Sequence, residues 1–149
     1  MASLKKITAG YRRKLIKMAS GSSAEVSNRT VDRTPVLSGS SVLSWTPSIG
    51  SMSINDVTLP VPDEARLPYG MWDNPKERAY KIEAKAGIRS VAPDLKSGET
   101  YYFVNPKEYI LEIEYESKSY RKAPAGMRSI SIAEWKQIVN EETRKARGS

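Results

Sequence analysis

The chain has no cysteine and no histidine among its 149 residues, and a single phenylalanine. Without cysteine there is no disulfide framework, no thiolate nucleophile and no cysteine-ligated zinc. Without histidine the commonest general base and the commonest metal ligand are missing too. Any catalysis would have to run on carboxylates, lysine, tyrosine or serine alone, so the chain reads as a non-enzyme with no cofactor. A membrane-spanning helix needs about 20 apolar residues. No stretch approaches that, and the N-terminus lacks the apolar core of a signal peptide. The expectation is a protein made in the cytoplasm, with no membrane partner.

What the chain has is positive charge, unevenly placed. The formal net charge is +7. Lys5, Lys6, Arg12, Arg13, Lys14 and Lys17 lie within the first 20 residues, where there is no acid, while the other 129 residues carry 18 basic and 17 acidic side chains. The molecule is thus a basic arm on a balanced body. Clustered lysine and arginine release counterions from DNA, so the six basic residues are candidates for contact with DNA or an acidic partner. A solvated helix face is the plainer reading. No zinc-finger spacing, aromatic RNA-binding motif or recognition-helix pattern points to sequence-specific readout.

Leu4, Ile7, Tyr11, Leu15 and Met18 recur at intervals of three and four, which predicts an amphipathic helix over residues 1–20 that docks by its apolar stripe. Ser20 to Ser41 is rich in Ser, Gly and Thr and reads as a linker, broken at Thr34-Pro35. Val42 to Ile49 reads as a strand with a proline at its edge. Residues 50–75 show no periodicity and read as an extended loop or hairpin arm of the kind that makes contacts. Asn74-Pro75 starts a helix to about Val91, stopped by Pro93, with Ala79, Ile82 and Ala86 facing the core. After a turn at Lys96-Ser97-Gly98, Thr100 to Val104 is a strand ended by Asn105-Pro106. Ala123 to Met127 is a Pro/Gly turn. Ser131 and Glu134 have capping-box spacing for a final helix over about Ile132 to Ala146. No internal repeat is apparent.

Glu108, Glu112, Glu114 and Glu116 form the one dense carboxylate group. They lack the loop carbonyls and turning glycine of a calcium site and read as a solvated face or protein contact. Gly50, Gly70 and Gly87 are scattered, so there is no phosphate-binding loop. Trp45, Trp72 and Trp135 read as core or interface anchors.

Arg33-Thr34-Pro35-Val36-Leu37-Ser38-Gly39, followed by Ser44-Trp45, resembles the Arg-Thr-Pro-Val-Asp-Thr-Gly stretch and following Ser/Asn-Trp of a family of neck and minor tail components of long-tailed bacteriophages. The Pro35 to Trp45 spacing is kept, with Leu37 in place of the family's Asp and Ser40-Ser41 in place of its Arg-Leu. Three further blocks follow in the family's order. Leu95 to Tyr102 is similar to its glycine turn into an aromatic strand, and Tyr109 with Ile113-Glu114-Tyr115 to its Tyr-Ala-x-x-Leu-Glu-Tyr-Gly. Ala123-Pro124-Ala125-Gly126-Met127 with Ala133-Glu134-Trp135 resembles its ending and final helix. The alternation of Leu111, Ile113 and Tyr115 with glutamates reads as a strand; the resemblance implies a short helix from Tyr109 to Tyr115 instead, and helix is the expectation.

The length of 149 residues suits a single domain over 1–149, with the basic amphipathic helix at 1–20, and the resemblance implies an α+β fold with its core at 33–147. It implies a small mixed or antiparallel sheet with N-terminal, middle and C-terminal helices on one side. It also implies a virion protein whose identical copies form a ring, expected to be a hexamer, between a connector, adaptor or stopper on the head side and the tail tube, with a sheath if the tail contracts. The ring closes the tail end and passes genomic DNA through its lumen; assembly takes place in the host cytoplasm. Structural and interface roles fall to Arg33, Pro35, Gly39, Trp45, Trp72, Tyr109, Glu114, Tyr115, Pro124, Gly126, Met127 and Trp135, with Pro35 and Gly39 setting a turn into the strand. A basic nucleic-acid-binding module, and a head-side adaptor of the same neck, are the alternatives.

Overall fold

The computed structural model describes residues 2–66, 72–110 and 127–148. They form helix α1 (Ala2–Arg33), a one-turn helix α2 (Ser40–Leu43), strand β1 (Thr46–Ile49), a 3-10 turn (Asp63–Arg66) and helix α3 (Glu77–Val91) with a 3-10 extension (Ala92–Asp94). Strand β2 (Tyr101–Val104) and helices α4 (Arg128–Ala133) and α5 (Trp135–Arg147) complete them. The class is α+β, as expected. β1 and β2 pair antiparallel, Thr46 opposite Val104 and Ile49 opposite Tyr101. Among the described residues each strand pairs on one side only, which lets Pro47 sit within β1.

Helix α1 overturns the expected linker at Ser20 to Ser41. Its polar second half stays helical because its hydroxyls bond back to the preceding turn. Ser27 Oγ donates to Ser23 O at 2.8 Å, Thr30 Oγ1 to Val26 O at 2.9 Å and Thr34 Oγ1 to Thr30 O at 2.7 Å. Satisfied in this way, Ser27 and Thr30 can be buried. Gly21 removes the last obstacle: the carboxylate of Glu142 on α5 sits where a Cβ would be. Small polar residues are unfavourable in an isolated helix, and tertiary packing overrides that preference. Val31 is in the core with Ala24 packed against it, so the buried body starts well before residue 33.

The expected strand from Val42 is confined to Thr46–Ile49, because residues 40–43 turn into α2. Gly39 makes that entry with φ 98°. Thus Pro35 and Gly39 set a turn into a helix, not into the strand. A Cβ on Gly39 would lie 2.6 Å from the Tyr80 ring, so the position excludes side chains on two grounds. Tyr80, Ala84 and Ile88 form the inner face of α3, whereas the expected core residues Ala79 and Ile82 are exposed and Ala86 is half-buried. The 3.6-residue period was right and its phase was off by one to two positions.

The core joins Val31, Val36, Val42, Trp45, Ile88 and Ala92. Trp45 stacks on Phe103 of β2, ring centroids 4.8 Å apart and planes 11° apart, and its Nε1 donates to Thr34 Oγ1 at 2.9 Å. Met127, fully buried against Ile110, forms a second small cluster at the entry to α4.

The final helix also departs from expectation. Helix begins at Arg128 and is interrupted at Glu134 before α5. Ser131 lies inside α4 with its hydroxyl donating to Met127 O at 2.7 Å, and caps nothing. Glu134 reaches across to α1, as described below. The helix or strand expected from Tyr109 to Tyr115 lies outside the described residues from 111 onward; up to there, Ile110 N–H closes a turn on Lys107 O. Glu112, Glu114, Tyr115, Glu116, Pro124 and Gly126 also lie outside the described residues.

Three substitutions test this packing by denaturant unfolding. Gly39→Ala is expected to cost about 1–3 kcal/mol from backbone strain alone, with the Tyr80 contact adding to it; a loss below about 0.5 kcal/mol would show that the turn does not need glycine. Trp45→Ala is expected to cost about 3–5 kcal/mol. Thr34→Val, which strands the buried indole donor, is expected to cost about 1–3 kcal/mol.

Candidate interaction surfaces

The residues that carry the family resemblance sit at the centre of the molecule's polar wiring. Arg33, at the end of α1, donates through Nη1 to Ser131 Oγ at 2.8 Å and through Nη2 to Glu134 Oε1 at 2.6 Å. Glu134 presents its other oxygen to Arg29, which also holds Glu25 at 2.9 Å and approaches Glu141 at 3.7 Å. One carboxylate thus bridges two guanidinium groups and ties α1 to the α4–α5 junction. The hydrogen bond from Arg29 is the main cause that holds the Glu134 carboxyl below the usual carboxylate range; burial opposes it, and the hydrogen bond from Arg33 and both positive charges add to it.

Segment 37–41 is clamped at both ends by the same device. Asn74 Nδ2 donates to Leu37 O, and Asn105 Nδ2 to Ser41 O, both at 2.7 Å. Each asparagine accepts through Oδ1 from the N–H two residues on, Lys76 at 2.8 Å and Lys107 at 3.0 Å. Both belong to the tetrapeptide Asn-Pro-Lys-Glu, at 74–77 and again at 105–108. This short repeat corrects the expectation of none. In both copies the asparagine side chain closes a turn on the N–H two residues on, and in the first that turn leads into α3 at Glu77, whose N-cap Lys76 makes no side-chain cap bond.

Residues 51–62 have no regular secondary structure, yet they are stitched to the body. The N–H groups of Ser53, Asn55, Val57 and Leu59 donate to the hydroxyls of Ser48, Thr46, Ser44 and Ser40 at 3.2, 3.2, 3.0 and 2.8 Å. Side-chain oxygens stand in for the carbonyls of a neighbouring strand, in antiparallel order. Val57 and Leu59 are half-buried, while Met52, Ile54 and Val61 are exposed. The expected arm is therefore an extended loop held against the core, with Lys107 reaching Asp56 and Thr58 from beneath.

The N-terminal half of α1 is the other surface. Leu4, Ile7, Tyr11 and Leu15 are 56–68% exposed, so among the described residues nothing covers the stripe short of Met18, contrary to expectation. Lys5, Lys6, Arg12, Arg13, Lys14 and Lys17 are exposed around it. Trp135 and Tyr109 are also largely exposed, with Ile132 one turn before Trp135 on the surface, and Trp72 is half-buried beside a cleft of about 620 Å³ that Tyr80 and Leu59 also line.

No family model, curated protein or solved structure matches the chain. The described residues hold no group of three or more carboxylates that could bind a metal, and Glu108 stands exposed at the end of the described part of its cluster. None of their helices is long and apolar enough to cross a membrane.

Of the residues singled out in the sequence, Arg33, Pro35, Gly39 and Trp45 come together in one structural hub with Thr34. The six basic residues come together on one helix. Trp135 and Trp72 lie apart from both. Glu134, Asn74 and Asn105 were missed as organisers. Only the asparagines left a signal, the repeated Asn-Pro-Lys-Glu.

Because the Glu134 carboxyl is lowered in the folded chain, its contribution to stability is present above the unfolded value of about 4.3 and is lost as pH falls through the lowered folded value. Thermal unfolding across that acidic window should show a fall in wild type that is smaller in Glu134→Gln. Superimposable pH profiles would mean that the bridge contributes nothing to folding.

Proposed function

We propose that this chain is a structural protein of a tailed bacteriophage virion, whose copies form a ring at the head-to-tail junction that closes the tail end and lets DNA pass. One observation carries the reading. The residues through which the chain resembles neck and minor tail components, Arg33 to Trp45, are the ones its fold is built around. Arg33 holds the C-terminal helices, Thr34 holds Trp45, and Gly39 fits against Tyr80. A chance match on a loop would not be expected to coincide with the hub of the core.

The surfaces left over support the same reading. They are an extended apolar and basic helix face and a long exposed loop, suited to contact with other proteins rather than to bond-making chemistry. The partners proposed are identical subunits, connector, adaptor or stopper proteins above and the tail tube below. A head-side adaptor in the same neck would draw on the same features.

The basic arm favours a second reading, a nucleic-acid-binding module. Lys5, Lys6, Arg12, Arg13, Lys14 and Lys17 are all exposed on α1, and phosphate contacts of that number would give steeply salt-dependent duplex binding.

Image reconstruction and protein composition of purified phage particles test the proposal. The expected result is density for this chain, in many copies, in the neck. Its absence from particles, together with tight salt-dependent duplex binding by the free protein, would replace the first reading with the second.

A further inference from the structure

Positions 4, 7, 11, 15, 18, 22, 25, 29 and 33 of α1 follow one another at steps of three and four, so they form a single ridge along the helix. α5 and the α4–α5 junction cover its C-terminal part. Thr143 Oγ1 meets Met18 Sδ at 3.0 Å, Glu142 lies over Gly21, and Glu134 holds Arg29 and Arg33. From Leu15 to Leu4 no described residue covers the ridge. The covered part shows what fits this helix: apolar side chains, here the buried Ile138 and Ala146, accompanied by carboxylates. The bare part asks for the same more strongly, since Arg12 and Lys5 lie to one side of it and Lys14 and Lys17 to the other.

A surface of that chemistry is present on the same molecule. Residues 52–64 expose Met52, Ile54 and Val61 at 57–60% and carry Asp63, Glu64 and Asp56, the last paired with Lys107 within the molecule, with no basic residue in the segment itself. Four N–H bonds to Ser and Thr hydroxyls pre-organise the segment, which lowers the cost of docking. The lengths correspond: Leu4 to Leu15 spans about 16 Å of helix, and Met52 to Asp56 about 13 Å of extended chain.

We propose that the bare ridge of α1, at Leu4, Ile7, Tyr11 and Leu15, docks on the acidic, apolar 52–64 segment of a second copy of this chain. Both surfaces stand exposed within one molecule, so the contact is between copies. The two surfaces differ, so the contact is heterologous and repeats from copy to copy, closing into a ring when the rotation allows. It deepens the ring reading above and rests on it for its biological setting. DNA is the poorer occupant, because phosphates would pair the lysines and arginines and leave four large apolar side chains in water.

The absence of native cysteine makes the test direct. Tyr11→Cys and Ile54→Cys are prepared as separate variants, mixed at high concentration and oxidised, with Ser90→Cys, on the exposed end of α3, as the control partner. The mixed Tyr11→Cys with Ile54→Cys disulfide is expected to form in several-fold higher yield than either variant forms with the control, and Leu4→Ser with Ile7→Ser in the Tyr11→Cys chain should reduce it to the control level. These positions are exposed, so unchanged circular dichroism and unfolding confirm that each variant is folded. Equal yields with the control, exclusive Tyr11 to Tyr11 cross-links, or a protein that stays monomeric at every concentration would overturn the contact. So would stripe-dependent binding to phosphatidylglycerol vesicles or to duplex DNA without the mixed cross-link. Cross-linking within particles separates the two ideas. A neck ring that contains the chain but gives no mixed disulfide defeats the contact and leaves the ring. A mixed disulfide from a chain absent from particles defeats the neck assignment and leaves the contact.

Discussion

The hydrogen bond from Trp45 Nε1 to Thr34 Oγ1 joins the end of the longest helix to the start of the sheet, and the remaining architecture depends on it. A buried indole N–H without a partner is costly, so Trp45 fixes where Thr34 must be. Thr34 also donates back to Thr30, which keeps α1 helical to its last turn. Arg33, one residue earlier, is thereby aimed at Ser131 and Glu134. The aromatic face that remains stacks on Phe103, fixing β2 beside β1. Four consecutive decisions about chain direction follow from one side chain with an apolar body and a single donor.

Much of this was legible in sequence, and the failures have a common cause. The α+β class, the turn at Gly98, strand β2, and the start and end of α3 were all readable, because local chemistry decides them: prolines, caps and β-rich runs act over a few residues. The second half of α1 was not readable, because Ser27, Thr30 and Thr34 look like linker residues until the hydroxyl back-bonds and the close approach at Gly21 are known. The phase of α3 failed for a related reason. Tyr80 takes an inner position because Gly39 leaves room for its ring, a contact between residues 41 positions apart in sequence. Glu134 was misassigned to a cap although its partners are two arginines about a hundred residues away.

Among the candidate surfaces, the basic cluster was placed correctly from sequence and its environment was not. Periodicity establishes that a stripe exists; it does not say whether the chain itself supplies the cover. Here the internal cover reaches Met18 and the exposed residues begin at Leu15. The loop after β1 shows the converse. Its lack of periodicity suggested a free arm, but the serines and threonine of residues 40–48 accept its N–H groups and hold it in place.

The continuity of α1 links these surfaces to the hub. A helix of 32 residues is about 48 Å long, and α1 runs without interruption or proline from Ala2 to Arg33, with Ser20-Gly21-Ser22 the one place in it where a helix bends readily. The Arg29 and Arg33 bridge to Glu134 sets its angle at one end, while its other end carries the bare ridge. A force or a bound partner at Leu4 to Leu15 therefore acts on the same continuous helix that Trp45 and Thr34 anchor. Charge distribution follows the same division. The C-terminal part of the helix has its arginines neutralised by Glu25, Glu134 and Glu141. The N-terminal part keeps six positive charges and no acid. A helix that is electrically balanced where it is covered and unbalanced where it is bare favours an acidic neighbour at the bare end, and the 32-residue element connects that neighbour to the core.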